Sequence, residues 1–169
     1  MGKKSVKENK TRYHLAREEL GYSREEASRY LEVITPERLE RIENEKTEPY
    51  PEEILAMAKA YNRPSLCNYY CSQQCPIGRQ YVPEIEIKEL SSIVLEMLAS
   101  LNSINKKKDR LIEIAADGQI DQDEIQDFIN IQKELERISI TVETLQIWSE
   151  RMLAAKKIDP EAYKANLDK

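Results

Sequence analysis

Cys67, Cys71 and Cys75 recur at every fourth residue. On one continuous helix their three thiols would share a face. Thiolates gathered in this way suit a metal or redox switch. A structural zinc site, however, takes four protein ligands, and its cysteines are commonly separated by two intervening residues. Reduced cysteine also packs as a small hydrophobe. Packing is therefore the reading taken, with no cofactor and no metal expected; Cys67, Cys71 and Cys75 stay as the candidates for a metal- or thiol-sensing alternative. Asp117 to Glu124 copies the back half of a calcium loop, with a glycine, an apolar residue and a closing glutamate. The first and third ligand positions of such a loop would fall on Glu113 and Ala115, so a plain helix–turn–helix link without an ion is expected. His14, the single histidine, has no serine, cysteine or carboxylate that sequence can pair with it for catalysis, and reads as a surface or packing residue. With four glycines and no glycine-rich phosphate loop, the chain does not read as an enzyme.

The more telling chemistry lies in how Ala16 to Lys46 is punctuated. Gly21 can take the left-handed conformation that closes a helix. Ser23 caps the next helix and Glu26, three residues on, completes a capping box. Thr35 and Pro36 then supply a cap and a first helical residue. Leu39 and Ile42 give this third helix an apolar side, while Glu37, Arg38 and Arg41 point elsewhere. A short amphipathic helix presented like this suits the major groove of DNA.

The segments AREELGYSREEAS, RIENEK and ILAMAKAYNRPSL carry a resemblance that runs from about Asn9 to Tyr70. They resemble the phage-repressor type of helix-turn-helix domain, also called Cro-like or XRE-type. The resemblance implies five helices around a small core, with the second and third forming the DNA-binding unit. It implies a partly buried ion pair between Arg17 and Glu43. It places Thr35, Pro36, Glu37 and Arg41 at bases or the groove edge, with Arg38 near the backbone. Arg41 would bridge a guanine and Glu37 would accept from a cytosine amino group. Ser23, Arg24, Asn44 and Lys46 would contact phosphates. It also implies a bacterial, phage or mobile-element host. There are departures. Ser28 stands where a small alanine is usual, which would weaken close packing. Glu32 replaces the turn glycine, and the turn Glu32-Val33-Ile34 is one residue longer than the family minimum. Glu45 follows Asn44 where glycine is frequent.

Composition bounds these expectations. The net charge of −5 argues against a generic nucleic-acid binder. Residues 1–17, however, hold six basic side chains against one acid, an arm able to follow a phosphate backbone. Glu37, Glu40, Glu43, Glu45 and Glu48 weigh the other way. No run of eighteen apolar residues exists, and no apolar segment follows the basic start, so neither a membrane span nor a secretory signal is read. A cytoplasmic location is expected, as the odd cysteine count of three also suggests.

The expected architecture is all-α. Residues 1–78 form a five-helix domain, with a basic arm at 1–12, and 79–83 a hinge. Residues 84–157 form a long antiparallel helical hairpin, and 158–169 a C-terminal tail. In the hairpin Leu90, Val94, Met97, Leu101, Ile104, Lys108, Leu111 and Ala115 step by four and three. Phe128, Ile131, Leu135, Ile138, Val142, Leu145, Ser149 and Met152 do the same. Two helices cannot bury stripes this wide, so an identical hairpin is the expected partner, making a homodimer on double-stranded DNA. The function read is a sequence-specific DNA-binding transcriptional regulator. The rival is a protein-interaction adaptor that keeps the helix-turn-helix as scaffold and works through the hairpin.

Overall fold

The computed structural model describes residues 9–167; Lys3, Lys4 and Lys7 of the basic arm lie outside them. The described residues form nine helices and fall into two compact units. One comprises the residues up to Glu84 together with those from Glu150 onward. The other is Ile85–Ser149.

In the first unit, α1 (Arg12–Glu19), α2 (Arg24–Leu31), α3 (Pro36–Glu43), α4 (Pro51–Ala60) and α5 (Ser65–Gln73) enclose a core of Tyr13, Leu31, Leu39, Ile54, Met57 and Tyr61. Local chemistry sets each boundary. Gly21 has φ +72°, and the Gly21 and Tyr22 amides donate back to the Glu18 and Arg17 carbonyls, closing α1. Ser23 Oγ accepts from the Glu26 N–H, and Glu26 accepts in turn from the Ser23 N–H at 2.7 Å. Thr35 Oγ1 accepts from the Arg38 N–H, with Pro36 first in α3.

The segment read as a hinge, 79–83, instead begins inside a short helix, α6 (Gly78–Tyr81). Gly78 lies so close to α5 that an added Cβ would sit 2.0 Å from the Cys71 carbonyl oxygen. Asn68 donates to the Pro83 carbonyl, and Glu84 accepts from both Arg12 and Gln73. The segment read as a C-terminal tail contains α9 (Pro160–Leu167).

The second unit is built from α7 (Leu90–Ile114) and most of α8 (Ile125–Ala154), joined by a turn at Asp117–Gly118. The helices meet along Ile93, Ser100 and Ile114 of α7 and Ile131, Thr141 and Thr144 of α8, all buried. Met97, Ile104, Leu111, Ile138 and Leu145 are half-buried between them. Arg110 bridges to Asp127 at 2.8 Å. The expected stripes therefore split. Met97, Ile104, Leu111, Ile131, Ile138 and Leu145 enter the seam, whereas Leu90, Val94, Leu101, Leu135 and Val142 remain exposed, joined by Leu98 and Ile112. The reason is geometric. Two heptad frames lie one residue apart, and a single facing helix covers only one of them. One residue past the seam turns toward the same side on both antiparallel helices, so the uncovered frame forms one apolar flank.

Candidate nucleic-acid interface

α3 is held from behind by a buried ionic cluster. Glu43 is fully buried, with 0% of its surface exposed. Arg17 of α1 grips it with two bonds, Nε to Oε1 at 2.5 Å and Nη2 to Oε2 at 2.8 Å. Arg17 Nη1 also donates to the Tyr22 carbonyl, tying the same guanidinium to the approach to α2. Arg24, the first residue of α2, donates from Nε to Glu43 Oε2 at 2.9 Å. Three helices thus converge on one carboxylate. Such a buried pair fixes geometry more surely than it adds stability.

His14, read from sequence as a surface or packing residue, is almost fully buried beside this cluster, with Nε2 3.1 Å from Glu18 Oε1. Burial holds its imidazole below the ordinary value, with Arg17 acting in the same direction and Glu43 and Glu18 opposing.

The turn between α2 and α3 contains Glu32 at φ 57°, ψ −42°, and the Val33 N–H donates back to the Leu31 carbonyl at 2.5 Å. That is a three-residue turn in the left-handed sense, a strained conformation for any residue with a side chain. Ser28 Oγ donates to the Ile34 carbonyl at 2.6 Å. The residue expected to loosen packing therefore fastens the lengthened turn. α3 ends with the Glu45 and Lys46 amides donating to the Ile42 and Arg41 carbonyls, and with Glu45 at φ 58°. Both glutamates that replace family glycines thus keep the backbone conformation that glycine would favour.

The sequence-derived candidates divide by what holds them. Thr35, Glu37, Arg41 and Lys46 are exposed on and around α3; Pro36, Asn44 and Ser23 are half-buried. The Thr35 and Ser23 hydroxyls are engaged as helix caps. Arg38 is engaged inward. Its guanidinium donates to both Glu53 oxygens at 2.8 Å, to Thr47 and to the Glu48 carbonyl, and lies 5.0 Å from the Tyr50 ring centroid. Burial alone would raise Glu53, but Arg38 and the Tyr50 N–H hold its carboxyl below the ordinary value. Arg38 thus joins α3 to α4. Sequence reasoning missed the inward engagement of Arg24 and Arg38 because their acceptors, Glu43 and Glu53, are distant in the chain.

Cys67, Cys71 and Cys75 are all half-buried free thiols. Burial pushes the Cys67 and Cys71 thiols up, away from the reactive thiolate. Among the described residues no group of three or more His, Cys, Asp or Glu side chains is placed to hold a metal ion. No described helix is long and apolar enough to cross a membrane.

Two capped helices at a fixed turn, the second presenting its polar side outward, define a helix-turn-helix domain. Residues 14–65 match the family model described as Helix-turn-helix, which supports a Cro-like, XRE-type helix-turn-helix domain over that stretch. That family is one of DNA-binding transcription regulators rather than enzymes. No curated protein and no solved structure matches the chain.

Proposed function

We propose that this protein is a cytoplasmic, sequence-specific DNA-binding transcriptional regulator that acts as a homodimer, with the helical hairpin as its dimerisation module. The observation that carries the DNA-binding part is α3. It is capped at both ends, locked through Glu43 from behind, and exposes Glu37 and Arg41 at the surface. Arg41 reads a base edge, Glu37 accepts from a cytosine amino group, and Ser23, Arg24, Asn44 and Lys46 serve the phosphates. The apolar flank of α7 and α8 supports the dimer, because Val94, Leu98, Leu101, Leu135 and Val142 repeat at heptad spacing and stay exposed among the described residues. Two reading helices held at a fixed spacing would occupy two half-sites.

Titration of mixed-sequence duplex DNA at two salt concentrations tests this reading. A dimer offering Arg24 and Lys46 twice gives a log–log salt slope of about −4. Absence of binding at low salt overturns it. One observation favours the adaptor reading: the exposed surface of α3 and its C-terminal turn carries Glu37, Glu40 and Glu45 against Arg41 and Lys46, while Arg38 is neutralised by Glu53. Salt-insensitive capture of a protein partner, without DNA binding, would establish the adaptor.

A further inference from the structure

The one histidine of the chain lies between two carboxylates and is bonded to one of them. Its Nε2 meets Glu18 Oε1 at 3.1 Å. A carboxylate only accepts, so the neutral ring carries its proton on Nε2 and leaves Nδ1 bare. Nδ1 is buried without a hydrogen-bond partner and lies 3.9 Å from Glu43 Oε2. A second proton would turn that idle contact into an ion pair. What discourages it is burial and the cations already present. Arg17 holds Glu43 from α1, Arg24 holds the same Oε2 from α2, and Lys10 holds Glu18 at 2.7 Å. From the end of α4 the Tyr61 phenol faces this cluster, and burial pushes it up, so it stays neutral. Among the described residues Arg17, Arg24 and Lys10 already stand around the two carboxylates that face His14, with Glu25 beside Arg24 at the start of α2, and an imidazolium would add a further cation.

Arg24 is the most exposed cation of this cluster; 30% of its side chain is exposed, against 14% for Lys10, whereas Arg17 and Glu43 are enclosed. It also stands at the start of α2, where the helix amides favour an anion. We propose that His14 is a proton-binding site linked to DNA contact, such that a phosphate seated on Arg24 frees Glu43 to hold a proton on His14. The proposal rests on the DNA-binding reading above. A phosphate either draws Arg24 off Glu43 or adds a negative charge beside it. Both changes favour the imidazolium, so the sign does not depend on which occurs. By reciprocity, protonation of His14 tightens DNA binding. Affinity therefore rises as pH falls, by at most about tenfold per pH unit, the limit for one linked proton.

The experiment uses the full chain and a mixed-sequence duplex at low, constant ionic strength, between pH 8 and pH 5.5. Binding is expected to tighten toward acid in the wild type and to be flat in His14→Gln. The lone imidazole also gives a single NMR titration, read with and without the duplex. Its midpoint is expected to rise when DNA is added, and to move little on adding DNA to Arg24→Gln. This second reading holds even if His14→Gln folds poorly. DNA binding with the same pH slope in His14→Gln, or an imidazole midpoint unmoved by bound duplex, overturns the proton linkage while leaving the DNA reading standing. Absence of DNA binding throughout the range overturns both.

Discussion

Replacing Glu43 by glutamine changes the side chain's shape little but removes the negative charge on which three helices converge. The retained carbonyl can still accept from Arg17 Nε. The new amide would then face Arg17 Nη2 and Arg24 Nε, which now sit 2.8 and 2.9 Å from an acceptor. Two charge-assisted bonds become donor–donor contacts, each such bond being worth about 1.5–3 kcal/mol. Arg17, only 6% exposed, keeps a buried charge without its counter-ion. Breaking a buried pair from one side costs about 3–5 kcal/mol, a large share of the roughly 5–15 kcal/mol that a folded protein holds. Urea unfolding followed by circular dichroism should show the midpoint of E43Q falling steeply with the slope unchanged. The double variant R17M/E43M, which removes both buried charges, should recover most of the loss. A loss below about 1 kcal/mol in E43Q would refute the reasoning, because a carboxylate so placed could not then be the organising charge. So would a double variant clearly worse than the single one.

Three further outcomes follow from the same structure. Glu32→Gly should raise stability by about 1 kcal/mol, or roughly 2–4 °C in melting temperature, because the left-handed turn suits glycine; differential scanning calorimetry checks the sign. Glu53 is held below its ordinary value, so its contribution is present above the unfolded glutamate value of about 4.3 and is lost as pH falls through the folded value. Arg38→Gln should therefore lower stability at neutral pH and flatten its fall below pH 4, as read in unfolding midpoints across pH. Leu98→Glu with Leu101→Glu should give a monomer by light scattering while helix content is kept, since both side chains are already exposed in the single chain.

The fold was legible where local chemistry decides it. Gly21, the Ser23–Glu26 box and Thr35-Pro36 announce their boundaries within a few residues of sequence, and the structure places the helix ends there. The heptad spacing announced two paired helices. It could not say which of two adjacent frames closes the hairpin, because Val94 and Ile93 are equally apolar and only packing separates them. Glu32 and Glu45 were visible as departures from glycine, but the sequence could not tell whether the backbone had changed or was strained. The structure keeps the left-handed turn at both. The candidate interface was legible on α3 and much less so behind it. The burial of His14 and the inward bonds of Arg24 and Arg38 depend on carboxylates 15 to 29 residues away, Glu43 from His14 and Arg24 and Glu53 from Arg38.

Selection of bound duplexes from a random pool, repeated with Arg41→Ala, tests most directly whether α3 reads a sequence. The account predicts that the wild type enriches a two-part site with related halves, and that the variant relaxes one position in each half while keeping its salt dependence. A pool that stays random with the wild type at low salt would contradict it.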